Sequence, residues 1–163
     1  MNKTIKKLGK EELRSLLLEL SSLNKENETY LRLKLENKPE DALNHYKKKL
    51  KSILQNERIN LREARKAISD FKKISKEPKH ILELMIFYVE TGVKTGEQYG
   101  DMYEAFYSSM ESMFGQIVKT LNVNQHLIPQ YRERLNTIIR RSCERWSHKG
   151  SLEDAYEKLS DSQ

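Results

Sequence analysis

Length, composition and charge narrow the classes of protein to which this chain can belong. Its 163 residues fit one domain, which at this size buries roughly 70% of the surface of the unfolded chain. Charged residues make up 33% of the sequence and apolar residues 37%, a balance typical of exposed helices that each carry one apolar stripe. Recurring Leu, Ile, Tyr and Met exclude a disordered chain, and six glycines with three prolines are few for an all-β protein.

Membrane and secreted classes are not indicated by the sequence. No segment approaches the roughly eighteen apolar residues of a membrane span. The basic start of the chain lacks the apolar run and the small-residue cleavage site of a secretory signal. Cys143 is the only cysteine, so no internal disulfide can form. We therefore expect a cytoplasmic protein.

The net charge of +6 is distributed unevenly along the chain. Residues 1–79 hold 21 Lys and Arg against 12 Asp and Glu, whereas residues 80–122 hold 2 against 6 and residues 123–163 hold 7 against 6. A basic first half and an acidic middle indicate either two distinct surfaces or the ordinary solvated faces of long helices.

Apolar residues recur at helical spacing from the first predicted element onwards. Residues 10–23 carry leucines three or four apart, and residues 30–35 favour a helix over a strand because no partner strand is visible elsewhere. Pro39 and Pro78 each suit the first turn of a helix, where the missing N–H costs nothing. Asn60 precedes a further helix in a pattern that resembles a capping box. These three helices are predicted over about 39–55, 61–74 and 78–93.

The most apolar predicted helix covers residues 102–121. Phe106 and Met110 lie on one of its two adjoining apolar stripes, which together imply a wide buried face and a central position in the fold. A loose connector with glycines at 92, 96 and 100 is predicted before it. After it we expect a helix over 127–146, which contains Trp146 and is stopped by Gly150, and a short helix over 151–159.

The predicted fold class is therefore all-α, with seven or eight helices in antiparallel hairpins. Short connectors place successive helices side by side, in a compact bundle or in a short curved helical stack. We expect a single helical domain over residues 1–163, with frayed segments at 1–9 and 160–163.

No catalytic residue, cofactor site or metal site is predicted. The glycine connector lacks the Gly-Lys-Ser/Thr of a P-loop, and its spacing differs from a dinucleotide fingerprint. Glu77 and His80 have the spacing of di-iron bundles, but such sites need two of these pairs and two further carboxylates. Cys143 lies within an amphipathic helix, where cysteine usually packs as a small apolar side chain.

The basic stretch between residues 45 and 79 has the charge to follow a nucleic-acid backbone. Its candidate contacts are Lys47, Lys48, Lys49, Lys51, Arg62, Arg65 and Lys66. Glycines and exposed aromatics that would stack bases are missing from this stretch, and no helix-turn-helix signature is clear. Nucleic-acid binding is therefore an alternative to ordinary solvated helix faces.

Arg141 and His148 are the candidates for a third function. Their spacing near a helix end resembles the Arg…His pair of HEPN-type ribonucleases, in which such residues bind a phosphate and act on a ribose hydroxyl. No Asp or Asn precedes the pair in a supporting position, and this spacing also arises by chance in charged helices.

The acidic middle of the chain is the surface that we expect to bind a protein partner. Its proposed contacts are Glu83, Phe87, Glu90, Tyr99, Asp101, Glu104 and Glu111. Polar stripes on two successive helices are expected to frame one groove with Phe87 and Tyr99 inside, since aromatics ringed by charge are the usual parts of an interface. The alternative is that Phe87 packs under a neighbouring helix.

Three segments of the chain, residues 64–73, 84–93 and 107–114, form a recognisable series in their order and spacing. They resemble an uncharacterised bacterial family known as domain of unknown function 6155, and the likeness covers about residues 10–121. The resemblance implies a bacterial, cytoplasmic, helical protein and no activity. The leading functional prediction is thus a non-catalytic interaction or adaptor protein that binds another protein. Its partner, pathway and oligomeric state are not encoded in any recognisable motif.

Overall fold

The computed structural model describes residues 2–36, 38–100 and 102–159, and every regular element in these ranges is helical. The helices are α1 (Asn2–Ile5), α2 (Lys10–Leu23), α3 (Lys25–Leu35), α4 (Pro39–Leu54), α5 (Leu61–Ile74), α6 (Pro78–Tyr99), α7 (Glu104–Val123), α8 (Ile128–Arg141) and α9 (His148–Tyr156). Short 3-10 turns lie at Gln125–Leu127 and Arg145–Ser147. The all-α prediction is confirmed, and α3 settles the choice between helix and strand in favour of the helix.

The chain divides into two compact units, residues 1–41 and 42–163. The first unit contains α1, the α2–α3 hairpin and the first turn of α4. The second contains the rest of α4 and α5 to α9. That the chain forms a single domain stays a prediction. Of the two ends predicted to fray, the first includes the one-turn helix α1, and residues 160–163 lie outside the described residues.

In the first unit, Asn24 separates α2 from α3. Its extended backbone ends α2, and its side-chain oxygen accepts a hydrogen bond from the Asn27 N–H at 2.8 Å, as an N-cap does. The Asn27 amide in turn donates to the Leu20 carbonyl at 3.0 Å. Among its described residues α2 buries none, although it carries a regular leucine stripe. This hairpin therefore exposes much of its apolar surface.

In the second unit, α6 and α7 form the centre. Eleven residues of α6 and nine of α7 are buried. Phe106 and Met110 are 1% and 0% exposed, which confirms the predicted central helix. The Tyr88 and Ser109 hydroxyls lie 2.7 Å apart between these helices, and Arg65 from α5 donates to the Ser109 carbonyl at 2.9 Å. Polar side chains buried at the centre are thus hydrogen-bonded.

The loose glycine connector predicted after residue 93 is wrong, because α6 continues through it to Tyr99. A Cβ atom added to Gly92 would lie 2.2 Å from the Met110 sulfur, so this glycine allows α6 and α7 to approach closely. Close packing of this kind outweighs the roughly 1 kcal/mol by which glycine disfavours a helix. The helix ends at Gly100, whose positive φ of 78° favours glycine.

The C-terminal helix boundaries also differ from the prediction. The helix α8 ends at Arg141, and Trp146 and Ser147 adopt left-handed backbone conformations with φ of 53° and 54°. Trp146 is 60% exposed rather than part of an apolar stripe. Gly150 lies inside α9 instead of stopping a helix. Burial of His148 and Leu152 selects this early start of α9, because packing contributes more than the low helix propensity of one glycine.

Candidate functional site: the cleft between α6 and α8

The acidic surface predicted on α6 is held by Arg134 of α8. The Arg134 guanidinium donates to both oxygens of Glu90 at 2.8 and 2.9 Å and to both oxygens of Glu83 at 3.0 Å. The Lys47 ammonium of α4 donates to Glu83 at 3.3 Å. Burial alone would raise the pKa of Glu83, but the hydrogen bonds and charges of Arg134 and Lys47 hold it below the ordinary glutamate value. These carboxylates therefore link α4, α6 and α8.

Phe87 lies beside this ionic network. Its side chain is half-buried, and the Lys47 ammonium lies 5.6 Å from the centre of its ring, within the range of a cation–π interaction. Together with Lys94 and Ile138 it lines a cleft of about 280 Å³ between α6 and α8. One edge of Phe87 therefore remains accessible from this cleft.

The other aromatic of the predicted groove, Tyr99, lies elsewhere. It lines a separate depression with Ile59 and Met102. Because α6 is continuous, the twelve residues from Phe87 to Tyr99 extend roughly 18 Å along its axis. The prediction of one groove that holds both aromatics is therefore wrong.

The remaining predicted partner contacts do not form one surface. Glu104 lines a shallow depression with Arg62 and Arg65, whereas Glu111 faces His148 of α9. Asp101 lies outside the described residues. Glu104 and Glu111 therefore have different neighbours along α7, and neither joins Glu83 and Glu90 at Arg134.

The basic residues predicted to bind nucleic acid are partly engaged within the protein. Lys47 pairs with Glu83, and Arg65 donates to the Ser109 hydroxyl at 2.9 Å. The Lys66 ammonium lies 3.9 Å from Asp70. The exposed members are Lys48 and Lys51 on α4 and Arg62 and Lys66 on α5, while Lys49 is half-buried. Nucleic-acid binding stays a prediction.

Arg141 and His148, the third pair singled out in the sequence, do meet at one place. Both line a cavity of about 60 Å³ at the end of α8, together with Cys143. The Arg141 Nε donates to the Glu97 carboxylate at 2.9 Å, and Nη2 bonds its second oxygen. This bidentate pairing holds the pKa of Glu97 below its ordinary range.

His148 is oriented by a carboxylate on the opposite wall. It is 2% exposed, its Nδ1 lies 2.8 Å from a Glu111 oxygen, and its ring packs 4.9 Å from that of Tyr107. The Glu111 carboxylate accepts a hydrogen bond from the Nδ1–H of this ring. The left-handed backbone of Trp146 and Ser147 places this side chain.

The rest of this cavity is mostly apolar. Val93 and Gly96 of α6 and Phe106 and Met110 of α7 form its walls. A Cβ atom added to Gly96 would lie 4.0 Å from the Tyr107 hydroxyl, an ordinary contact distance. Gly96 therefore leaves space that a larger side chain would fill.

Sequence reasoning identified Arg141, His148 and Phe87 but missed Glu97 as part of this region. The signal that pointed to the cavity was the pair of glycines at 92 and 96, which we assigned to a loop. A cavity of about 60 Å³ is too small to enclose a nucleotide. The ribonuclease hypothesis therefore gains a shared location for its two residues but no room for a nucleotide.

Neither a metal-binding cluster nor a membrane-spanning helix is found among the residues that the structure describes. In this part of the chain, no group of three or more His, Cys, Asp or Glu side chains is arranged to hold a metal ion. None of the described helices combines the length and the apolar character that crossing a membrane requires.

Comparison with known proteins places the whole chain in one family. No curated protein and no solved structure matches the sequence. The sequence profile of DUF6155, described as a family of unknown function, matches residues 1–160, a longer range than the segments that first suggested it. The chain therefore belongs to the family DUF6155.

Proposed function

We propose that this protein is a non-catalytic interaction protein that binds another protein through the leucine face of α2. We define this leucine face as Leu13, Leu16, Leu17 and Leu20. The observation that supports the proposal is that the described residues of α2 include no buried one, although the helix has a regular apolar stripe. The predicted acidic surface is a weaker candidate, because Glu83 and Glu90 are neutralised by Arg134.

The leucine face has the spacing by which one helix recognises another. Its members lie at positions i, i+3, i+4 and i+7, so their side chains form one stripe along the helix. Leu16, Leu17 and Leu20 are 38%, 43% and 39% exposed. Contiguous exposed apolar patches of a few hundred Å² on soluble proteins usually mark interaction sites.

Charges on the two sides of the leucine face indicate the partner that would fit. At about 100° per residue, Lys10 and Arg14 flank one side of the stripe, and Glu12 and Glu19 flank the other. An amphipathic helix from a partner protein would place acidic residues against the first side and basic residues against the second. Opposite charges on the two sides of an apolar seam select partner and orientation in this way.

Site-specific photocrosslinking in the native host tests the proposal. A photoreactive residue at position 17 lies on the leucine face, whereas the same residue at position 18 lies on the other side of α2. Leu18 is 65% exposed, so the control position is at least as accessible. We expect one protein to be crosslinked from position 17 and not from position 18, and to bind the purified chain in a nuclease-treated sample.

Replacement of leucines gives the second arm of the test. Leu16→Ser with Leu20→Ser should abolish binding of the crosslinked protein, whereas Leu18→Ser should not. Equal crosslinking from both positions would contradict the proposal. A large fall in melting temperature of the double variant would also contradict it, because the leucines would then support the fold. Crosslinking of a second copy alone would make the leucine face a self-association surface.

The expected compartment of this activity is the cytoplasm, since the chain has one cysteine and uses no disulfide. The proposal does not need nucleic acid to bind α4 and α5. The nuclease-treated sample shows whether partner binding depends on nucleic acid.

A further inference from the structure

The two cavities beside α8 are neighbours. The inner cavity of about 60 Å³ and the outer cleft of about 280 Å³ share two wall residues, Val93 and Arg141. Added together, their volumes reach the lower end of the range of about 300–1,000 Å³ that is usual for small-molecule sites. Arg141 therefore stands at the boundary of a two-part site.

The two parts differ in chemistry. The outer cleft is lined by the cations Lys94 and Arg141 and by Glu90, whose charge Arg134 compensates. The inner cavity is walled mainly by Val93, Phe106 and Met110. A ligand with a charged end and an apolar end would match this polarity, because the apolar end leaves water while the charge stays near the surface.

The pairing of Glu97 with Arg141 indicates that a carboxylate can bind at the boundary between the two cavities. The Glu97 carboxylate accepts two hydrogen bonds from the Arg141 guanidinium, the bidentate geometry that a ligand carboxylate would adopt. The side chains of Arg141 and Glu97 are 51% and 40% exposed, so the pair is in contact with solvent. Exposed ion pairs contribute little to stability, and another carboxylate can replace Glu97 at small cost.

We propose that the joined cavities bind a short-chain monocarboxylate, whose carboxylate replaces Glu97 on Arg141 and whose apolar chain enters the inner cavity. The inner cavity is small and is walled by Val93, Phe106 and Met110, so it accepts only a short apolar chain. Lys94 supplies a second positive charge at the opening. His148 also lines the inner cavity.

Titration of the full-length protein with sodium butanoate, followed by NMR or calorimetry, tests this site. Acetate lacks the apolar chain and butan-1-ol lacks the charge, so both should bind more weakly. Arg141→Gln should weaken butanoate binding by about tenfold or more, because the bidentate contact is lost. Arg132→Gln is the matched control, since Arg132 is an exposed arginine of α8 that lines neither cavity.

Two further variants separate ligand binding from a structural role. Glu97→Gln should tighten butanoate binding several-fold, because it removes the carboxylate that competes for Arg141. If the Arg141–Glu97 pair has only a structural role, the Glu97→Gln variant should bind butanoate more weakly or not at all. Gly96→Val should fill space near Tyr107 and remove the preference for butanoate over acetate.

Three results would overturn the proposal. The first is no butanoate binding at millimolar concentration, and the second is unchanged affinity in Arg141→Gln. The third is weaker binding in a Glu97→Gln protein whose melting temperature matches that of the wild type. None of these results bears on the leucine face of α2, because the tested residues lie on α6 and α8.

Discussion

Helices α2 and α7 carry equally regular apolar stripes but have opposite environments. Every stripe residue of α7 from Phe106 to Leu121 is buried, whereas the described part of α2 buries none. The stripe identifies the face that a helix prefers to cover. It does not identify what covers that face, because the same apolar residues can be buried by a neighbouring helix or by a separate protein.

The largest expected effect uses this contrast directly. Phe114 on α7 is 0% exposed, and Leu17 on α2 is 43% exposed. Phe114→Ala should lower the free energy of unfolding by about 3–5 kcal/mol, because it leaves a cavity in a packed core. Leu17→Ala should change it by less than about 0.5 kcal/mol. Urea unfolding of both variants measures the difference, and similar losses would show that α2 is part of the core.

Arg134 and Arg141, two of the four arginines of α8, extend the comparison to ion pairs. Arg134 is partly buried between Glu83 and Glu90, whereas Arg141 and Glu97 are more exposed. Arg134→Ala should cost about 2–3 kcal/mol, because it removes the charged hydrogen bonds to Glu90 and leaves Glu83 with Lys47 alone. Arg141→Ala should stay within about 0.5 kcal/mol of the wild type. Chemical denaturation at neutral pH tests both, and the reverse order would contradict the assigned roles.

Replacing two glycines of α6 by alanine should change stability by smaller amounts, and in opposite directions. Gly92→Ala places a methyl group against Met110 and should destabilise the protein by about 1–3 kcal/mol through overpacking. Gly96→Ala should be neutral or stabilising by up to about 1 kcal/mol, since its Cβ has room and alanine favours the helix. Melting temperatures of the two variants distinguish these outcomes. A stable Gly92→Ala protein would mean that α6 and α7 are further apart.

The smallest expected effect is a dependence of stability on pH. The pKa of Glu83 is lower in the folded chain than its ordinary value of 4.5, which the unfolded chain approaches. The unfolded state therefore binds a proton first as pH falls, and the stability that Glu83 contributes is present above about pH 4.5. It is lost as pH falls from there through the folded pKa. Unfolding curves between neutral pH and pH 3 should show this loss, and Arg134→Gln should reduce it.

The predictions from sequence succeeded where local patterns and packing agree. Pro39 and Pro78 begin α4 and α6 as predicted, and the Asn60 side chain accepts a hydrogen bond from the Glu63 N–H at 3.1 Å. They failed where glycine was read as a loop signal. Gly92 and Gly150 both lie inside helices, because tertiary contacts outweigh a propensity difference of about 1 kcal/mol.

The candidate site was harder to predict than the fold. Arg141 and His148 were paired by their spacing, yet nothing local indicated that Glu97 would hold the first and Glu111 the second. Glu97 lies 44 residues from Arg141, and Glu111 lies 37 residues from His148. Pairing across such separations depends on how helices are arranged, which a single sequence does not display.

The sequence by itself determined that this chain is helical, because apolar spacing and helix-starting residues act within a few residues of one another. It also determined the family, which follows from residues 1–160. Only the tertiary structure decided which stripes are buried, which carboxylates are neutralised and where Arg141 and His148 meet. These properties depend on contacts between helices distant in sequence, and their energies exceed the local preferences that periodicity reveals.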